Sequence, residues 1–185
     1  MKNFLTTLII ILLLMIICSA DSTFAASKKS RKEMKSIGVF ANYNGPDNVL
    51  DEGYDSDFAA GIKAAYHINQ NLGLELAFSS FKFDGGSYKD SYDTRIIDSH
   101  RVNVFYKFDT NTNLYPFATA GLGYYMVEKG PDAPGINFGV GASTDLVALS
   151  KNLSADLSWN YHRMLNSGGD MSFYEIRAGL NFNFY

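Results

Sequence analysis

The chain is short of cysteine, proline and net charge, and each shortage excludes something. Of 185 residues one is cysteine, Cys18, so no disulfide can form within the chain. Only 4 are proline, while 46% are hydrophobic and 15% aromatic, which excludes a disordered chain. A net charge of −3 gives no reason to expect nucleic acid as a partner. The length leaves room for one domain. After the first 26 residues there is no long uninterrupted apolar run, so a helical membrane span is not expected there.

The N-terminus reads differently from the rest. Lys2 precedes an apolar run over residues 4–17, and small residues follow, with Thr23 and Ala25 at the positions that a signal peptidase reads. Residues 1–25 are therefore expected to be a cleaved secretory signal. An uncleaved anchor is the alternative, but the run falls short of the ~20 residues of a spanning helix. Bulky Ile17 argues against lipid attachment at Cys18, and cleavage after Ala25 removes that cysteine. Residues 26–36 contain the basic stretch SKKSRKEMK without apolar periodicity. They read as a flexible leader, and contact with anionic lipid is the plainer role for it than contact with nucleic acid.

From Ile37 to residue 185 the apolar period is two. Phe58, Ala60, Ile62, Ala64 and Tyr66 alternate with Ala59, Gly61, Lys63, Ala65 and His67. After Asn69-Gln70-Asn71 the same pattern resumes in Leu72, Leu74, Leu76 and Phe78, and it recurs to the C-terminus. Counting the opening strand near residues 37–43, the pattern predicts eight antiparallel strands. Short connections are expected near Asn69, Asp109 and Ser150, and longer ones over residues 44–57, 84–95, 128–135 and 165–171. Short turns on one side and long loops on the other, with an exported chain, point to an all-β, up-and-down transmembrane barrel in the outer membrane.

A soluble barrel also alternates, but with its apolar residues inside. Here the polar face carries Lys63, Glu75, Arg101, Lys107, Asp145, Asp156, Glu175 and Arg177 among many Gly, Ala and Ser residues. Small residues and mixed charges suit the interior of eight strands, which is only wide enough to be filled by side chains. Lys63 with Glu75, lying diagonally across one hairpin, and Asp156 with Arg177 are expected to form ion pairs that face that interior. The apolar face adds aromatics near the strand ends. Phe108, Phe182 and Phe184 are expected at the periplasmic boundary, and Tyr124, Trp159, Tyr161 and Tyr174 toward the outer one.

The C-terminal YEIRAGLNFNF, residues 174–184, resembles the closing strand of the small OmpA-like and OmpX-like outer-membrane barrels, and YPFATAGLGY, residues 115–124, is similar to a central strand of that superfamily. Tyr185 follows the expected terminal Phe184, a departure from the pattern. The resemblance implies the fold, the outer membrane, and the barrel-assembly machinery as a partner in biogenesis. It does not imply one activity.

Sites of chemistry are weak by comparison. His162, Ser167 and Glu175 are residue types used by a lipid A deacylase of similar fold, but His162 is followed by Arg163-Met164-Leu165, and the His-x-Ser-Asn spacing of that family is absent. Asp98-Ser99-His100 is reminiscent of a lipid A palmitoyltransferase, yet adjacent strand residues alternate faces. Asp47, Asp51, Glu52, Asp55 and Asp57 lack EF-hand spacing and read as a solvated loop. No catalytic, cofactor-binding or metal-binding residue is assigned, and no cofactor. The expected role is structural or surface interaction, with loops displayed outward and Tyr54, Tyr88 and Tyr92 as first contacts. Outer-membrane lipid and lipopolysaccharide are the expected surroundings, together with an extracellular ligand or surface partner. A narrow pore is the alternative, and a lipid A-modifying enzyme stands behind it.

Overall fold

The computed structural model describes residues 34–47, 54–85, 95–128, 130–165 and 171–184. The period-two segments become eight long strands. They are β1 Lys35–Asp47, β2 Asp57–His67, β3 Leu72–Gly85 and β4 Arg95–Lys107, then β5 Leu114–Val127, β6 Ala133–Asp145, β7 Leu153–Met164 and β8 Met171–Phe184. A two-residue piece, Tyr54–Asp55, precedes β2 and pairs with the outer end of β3.

Each strand pairs antiparallel with the next, and β8 returns to β1 with Lys35 opposite Phe184 and Asp47 opposite Ser172. Closure leaves no free edge, which a lipid environment requires because no water is present there to satisfy backbone groups. Crossing from residue to paired residue leads from Asp98 through Ser80, Ala60, Ala41, Ala178, Leu157, Ala142 and Pro116 back to Phe108, just past the end of β4. The stagger from Asp98 to Phe108 tilts the strands by roughly 40°.

Alternation sorts the side chains cleanly. Ile37, Val39, Ile62, Val102, Leu122 and Val140 point outward and are more than half exposed, whereas Ser36, Asn42, Lys63, Arg101, Asp156 and Arg177 are buried inside. This is the reverse of a soluble barrel, and it follows from which residues can face hydrocarbon. Among the described residues no helix is long and apolar enough to cross a membrane.

The turns at the end that holds the N-terminus are tight. Asn69 Oδ1 accepts hydrogen bonds from the backbone N–H groups of Asn71 (2.9 Å) and Leu72 (2.8 Å), an Asx turn that reverses the chain between β2 and β3. Thr110 bonds to the carbonyl of Leu114 and so closes the turn before β5. Strand boundaries differ from the sequence pattern in several places. β1 runs on to Asp47, so residues 44–47 pair with β8 and Asp47 is not in the solvated loop expected of it. β1 begins at Lys35, within the stretch expected as leader, because Lys35 pairs with both Tyr66 and Phe184. Residues 133–135, expected in a long loop, belong to β6, where Ala133 pairs with Tyr125. The turn is shortened by Asp132, which accepts the backbone N–H of Val127 at 3.1 Å.

Candidate functional site

The interior is the part of the barrel with unusual chemistry, and it is arranged in layers. At the extracellular end lies an apolar cluster in which Phe83, Ile97, Tyr125, Met164 and Phe173 are fully buried, with Phe81 and Val127 beside them. Phe81, Phe83 and Phe173 meet one another at tilted or edge-on angles, with ring centroids 5.1–6.1 Å apart. Such contacts add to the apolar burial itself.

Beneath it sits the first charged layer. Arg101 donates from one terminal nitrogen to both oxygens of Glu175, at 2.9 and 3.0 Å. Asn42 and Asn160 complete the carboxylate by donating at 2.9 and 3.1 Å. His162 joins this layer: its Nδ1 shares a hydrogen bond with the Tyr125 hydroxyl at 2.8 Å, and its ring stacks flat on Phe173 at 4.5 Å.

Phe40 forms a partition below. Its ring lies between two guanidinium groups, 5.7 Å from that of Arg101 and 5.3 Å from that of Arg177. Cation–π attraction is strongest where both groups are desolvated, as here. Under Phe40 comes the second charged layer. Arg177 donates to Glu75 at 2.9 Å and Lys63 to Asp156 at 2.5 Å, with Asn103 reaching Glu75 and Asn181 reaching Asp156. A cavity of about 40 Å³ follows at the periplasmic end, lined by Lys63, His67, Glu75, Phe105, Lys107 and Asp156 among others.

Glycine makes this filling fit. A Cβ on Gly61 would collide with the ring of Phe40, and one on Gly73 with the ring of Phe105. Gly123 and Gly135 likewise leave the space that Tyr125 occupies. The lumen glycines thus complement inward rings, a large–small alternation that fills a narrow barrel.

The four residues expected to pair in the lumen lie there with exchanged partners. Lys63 meets Asp156, not Glu75, and Arg177 meets Glu75, not Asp156. Lys63 and Glu75 belong to adjacent strands and Asp156 and Arg177 likewise, but inward side chains of a tilted barrel reach across the lumen more readily than along the wall. Sequence reasoning placed Arg101 and Glu175 on the polar face without joining them, and it missed Phe40, Tyr125 and Phe173 as inward rings. For Phe40 and Tyr125 the usable signal was the glycine on the neighbouring strand.

On the outer face, Phe108, Phe182 and Phe184 stand at the periplasmic end, and Phe182 packs against Phe184 at 5.0 Å. Tyr124 is exposed toward the other end, with Tyr161 and Tyr174 half-buried, whereas Trp159, expected at that boundary, is exposed near the middle of β7 opposite Val140 and Ile176. The Tyr174 ring occupies the space that a Cβ on Gly45 of β1 would need. His162 points into the lumen and is fully buried, so it does not face lipid; Ser167 lies outside the described residues. Ser99 is buried inside, whereas Asp98 and His100 point outward. Tyr54 stands in the short piece before β2, and Tyr88 and Tyr92 lie outside the described residues. Among the described residues no cluster of three or more His, Cys, Asp or Glu side chains is arranged to hold a metal ion.

Comparison with known proteins agrees with this architecture. The family model described as outer membrane protein beta-barrel domain matches residues 10–184. Neisserial surface protein A is similar in structure, with a TM-score of 0.66 and 21% identity over 81% of this chain and 97% of that one. The outer membrane protein OprG of Pseudomonas aeruginosa has a TM-score of 0.60 and 14% identity over 83% and 97% of the two chains. Ail, the attachment invasion locus protein of Yersinia pestis, has a TM-score of 0.57 and 16% identity over 83% and 99%. No curated protein matches by sequence.

Proposed function

This chain belongs to the family of outer membrane protein β-barrel domains, and we propose that within the bacterial outer membrane it acts as a closed, non-catalytic scaffold that displays its extracellular connections for surface interaction. The filled interior carries this reading. An apolar cluster, two layers of ion pairs and the Phe40 partition occupy the lumen between its outer end and the periplasmic cavity. Packing of this kind makes a stiff wall, and loops on a stiff wall are where binding resides.

In this reading residues 1–25 are removed on export, and the outward Phe182 and Phe184 of the closing strand are read by the assembly machinery. Tyr54, Tyr88 and Tyr92 are the first residues to substitute in binding assays, because tyrosine offers a large contact area with a polar tip. The narrow-pore reading has the periplasmic cavity in its favour, and single-channel recording in planar bilayers separates the two. The scaffold predicts no conductance steps from the folded barrel. Regular ohmic steps, abolished when the protein is boiled beforehand, would overturn it.

A further inference from the structure

The outer aromatic girdle gives way to polar residues on β3 and β4. Phe58 on β2 and Tyr124 on β5 are both exposed on the outer face. Between them, β3 and β4 present Ser80, Asp98 and His100, of which only His100 carries a ring, the polar imidazole. Ser80 lies opposite Asp98, and Ser80 also pairs with Ala60, the outward residue next to Phe58 along β2. His100, next to Asp98 on the same face, lies opposite Tyr124. Ser80 and His100 are exposed and Asp98 is partly so, while the His100 ring packs edge-on against Phe78 at 5.2 Å.

Its height in the membrane follows from the stagger of the barrel. Asp98 stands above Phe108 by the full stagger of the strands, and that length of tilted strand spans the ~25 Å apolar band of such proteins. With Phe108 at the periplasmic girdle, Ser80, Asp98 and His100 face the headgroups of the outer leaflet and not its acyl chains.

We propose that this notch binds the saccharide headgroup of an outer-leaflet glycolipid. The carboxylate of Asp98 accepts hydrogen bonds from sugar hydroxyls, Ser80 and His100 supply further polar partners, and the ring of Tyr124 offers an apolar face beside them. One carboxylate with no lysine or arginine among the three residues suits hydroxyls and repels phosphate. Lys82, one outward position beyond Ser80, makes phosphate the rival ligand that must be told apart.

The test reconstitutes the full barrel in phosphatidylethanolamine–phosphatidylglycerol vesicles containing lipopolysaccharide, intact or stripped of phosphate, and measures the glycolipid retained per barrel after detergent extraction. Wild-type protein should retain both forms. The double variant Asp98→Leu/His100→Tyr, which extends the girdle, should retain about tenfold less, in line with the loss of one or two charge-assisted hydrogen bonds. If that variant fails to fold, as judged by heat-dependent gel mobility, Ser80→Ala should fold and lower retention several-fold. Equal retention by the folded variants would overturn the proposal. So would loss of wild-type retention on removing phosphate, which would assign the contact to Lys82, or cross-linking of two copies through Ser80→Cys.

Discussion

At the scale of single residues, the lumen is held by pairs whose value lies in being complete. Glu75 and Arg177 are both buried; Glu75 also accepts a hydrogen bond from Asn103, and the Arg177 guanidinium also lies over the ring of Phe40. Removing one member leaves a charge without its counterpart in a poorly solvated interior, which costs about 3–5 kcal/mol, whereas replacing both by apolar residues of similar volume is often close to neutral. Glu75→Gln or Arg177→Met alone should therefore lower the unfolding midpoint in detergent clearly more than the two together. A double-mutant cycle should also show coupling between Lys63 and Asp156 larger than that between Lys63 and Glu75. The opposite order would return the pairing to the one expected along each hairpin.

At the scale of the strand, one face meets lipid and the other meets the packed lumen, so a substitution is judged by its face and its depth. On β2, Ile62 is 59% exposed near the middle of the apolar band, and Phe58 is 48% exposed at its outer edge. Ile62→Arg should destabilise the folded barrel by about 2–4 kcal/mol and Phe58→Arg by only about 0–1 kcal/mol, because a charge near the interface reaches water. Urea unfolding from lipid vesicles reads both. Equal costs at the two sites would mean that the membrane does not sit between the aromatic girdles. The turns obey the same economy of local chemistry: Asn69 and Asp132 each satisfy backbone N–H groups that the reversing strands leave over.

At the scale of the whole molecule, closure is the decisive feature. Every one of the eight long strands has two neighbours, and the pairing of β8 with β1 runs the full length of β1. No strand can be peeled off without exposing backbone groups to lipid, so the fold should resist detergent until it is heated. In the outer-membrane fraction the unboiled protein should migrate differently from the boiled protein on a gel. A single mobility for both would count against the closed barrel. The layered lumen adds stiffness to closure, with the apolar cluster nearest the outside and the cavity nearest the periplasm.

Much of this was legible in the chain itself. The period of two, set by strand geometry, named the strands and divided lipid-facing from lumen-facing residues wherever Ile, Leu, Val and aromatics alternated with Gly, Ser and charged side chains. Turn residues such as Asn69 and Asn71 marked the reversals for local reasons. Other features depended on the closed barrel. Which carboxylate meets Lys63 depends on the stagger with which β8 closes on β1, since that stagger brings residues far apart in sequence to one height in the lumen. The place of Phe40 between two arginines, and the gap in the girdle at Ser80, Asp98 and His100, have the same origin. Alternation is a property of each strand alone, so the sequence determines it. Contacts across the interior are a property of closure, and only the tertiary structure decides them.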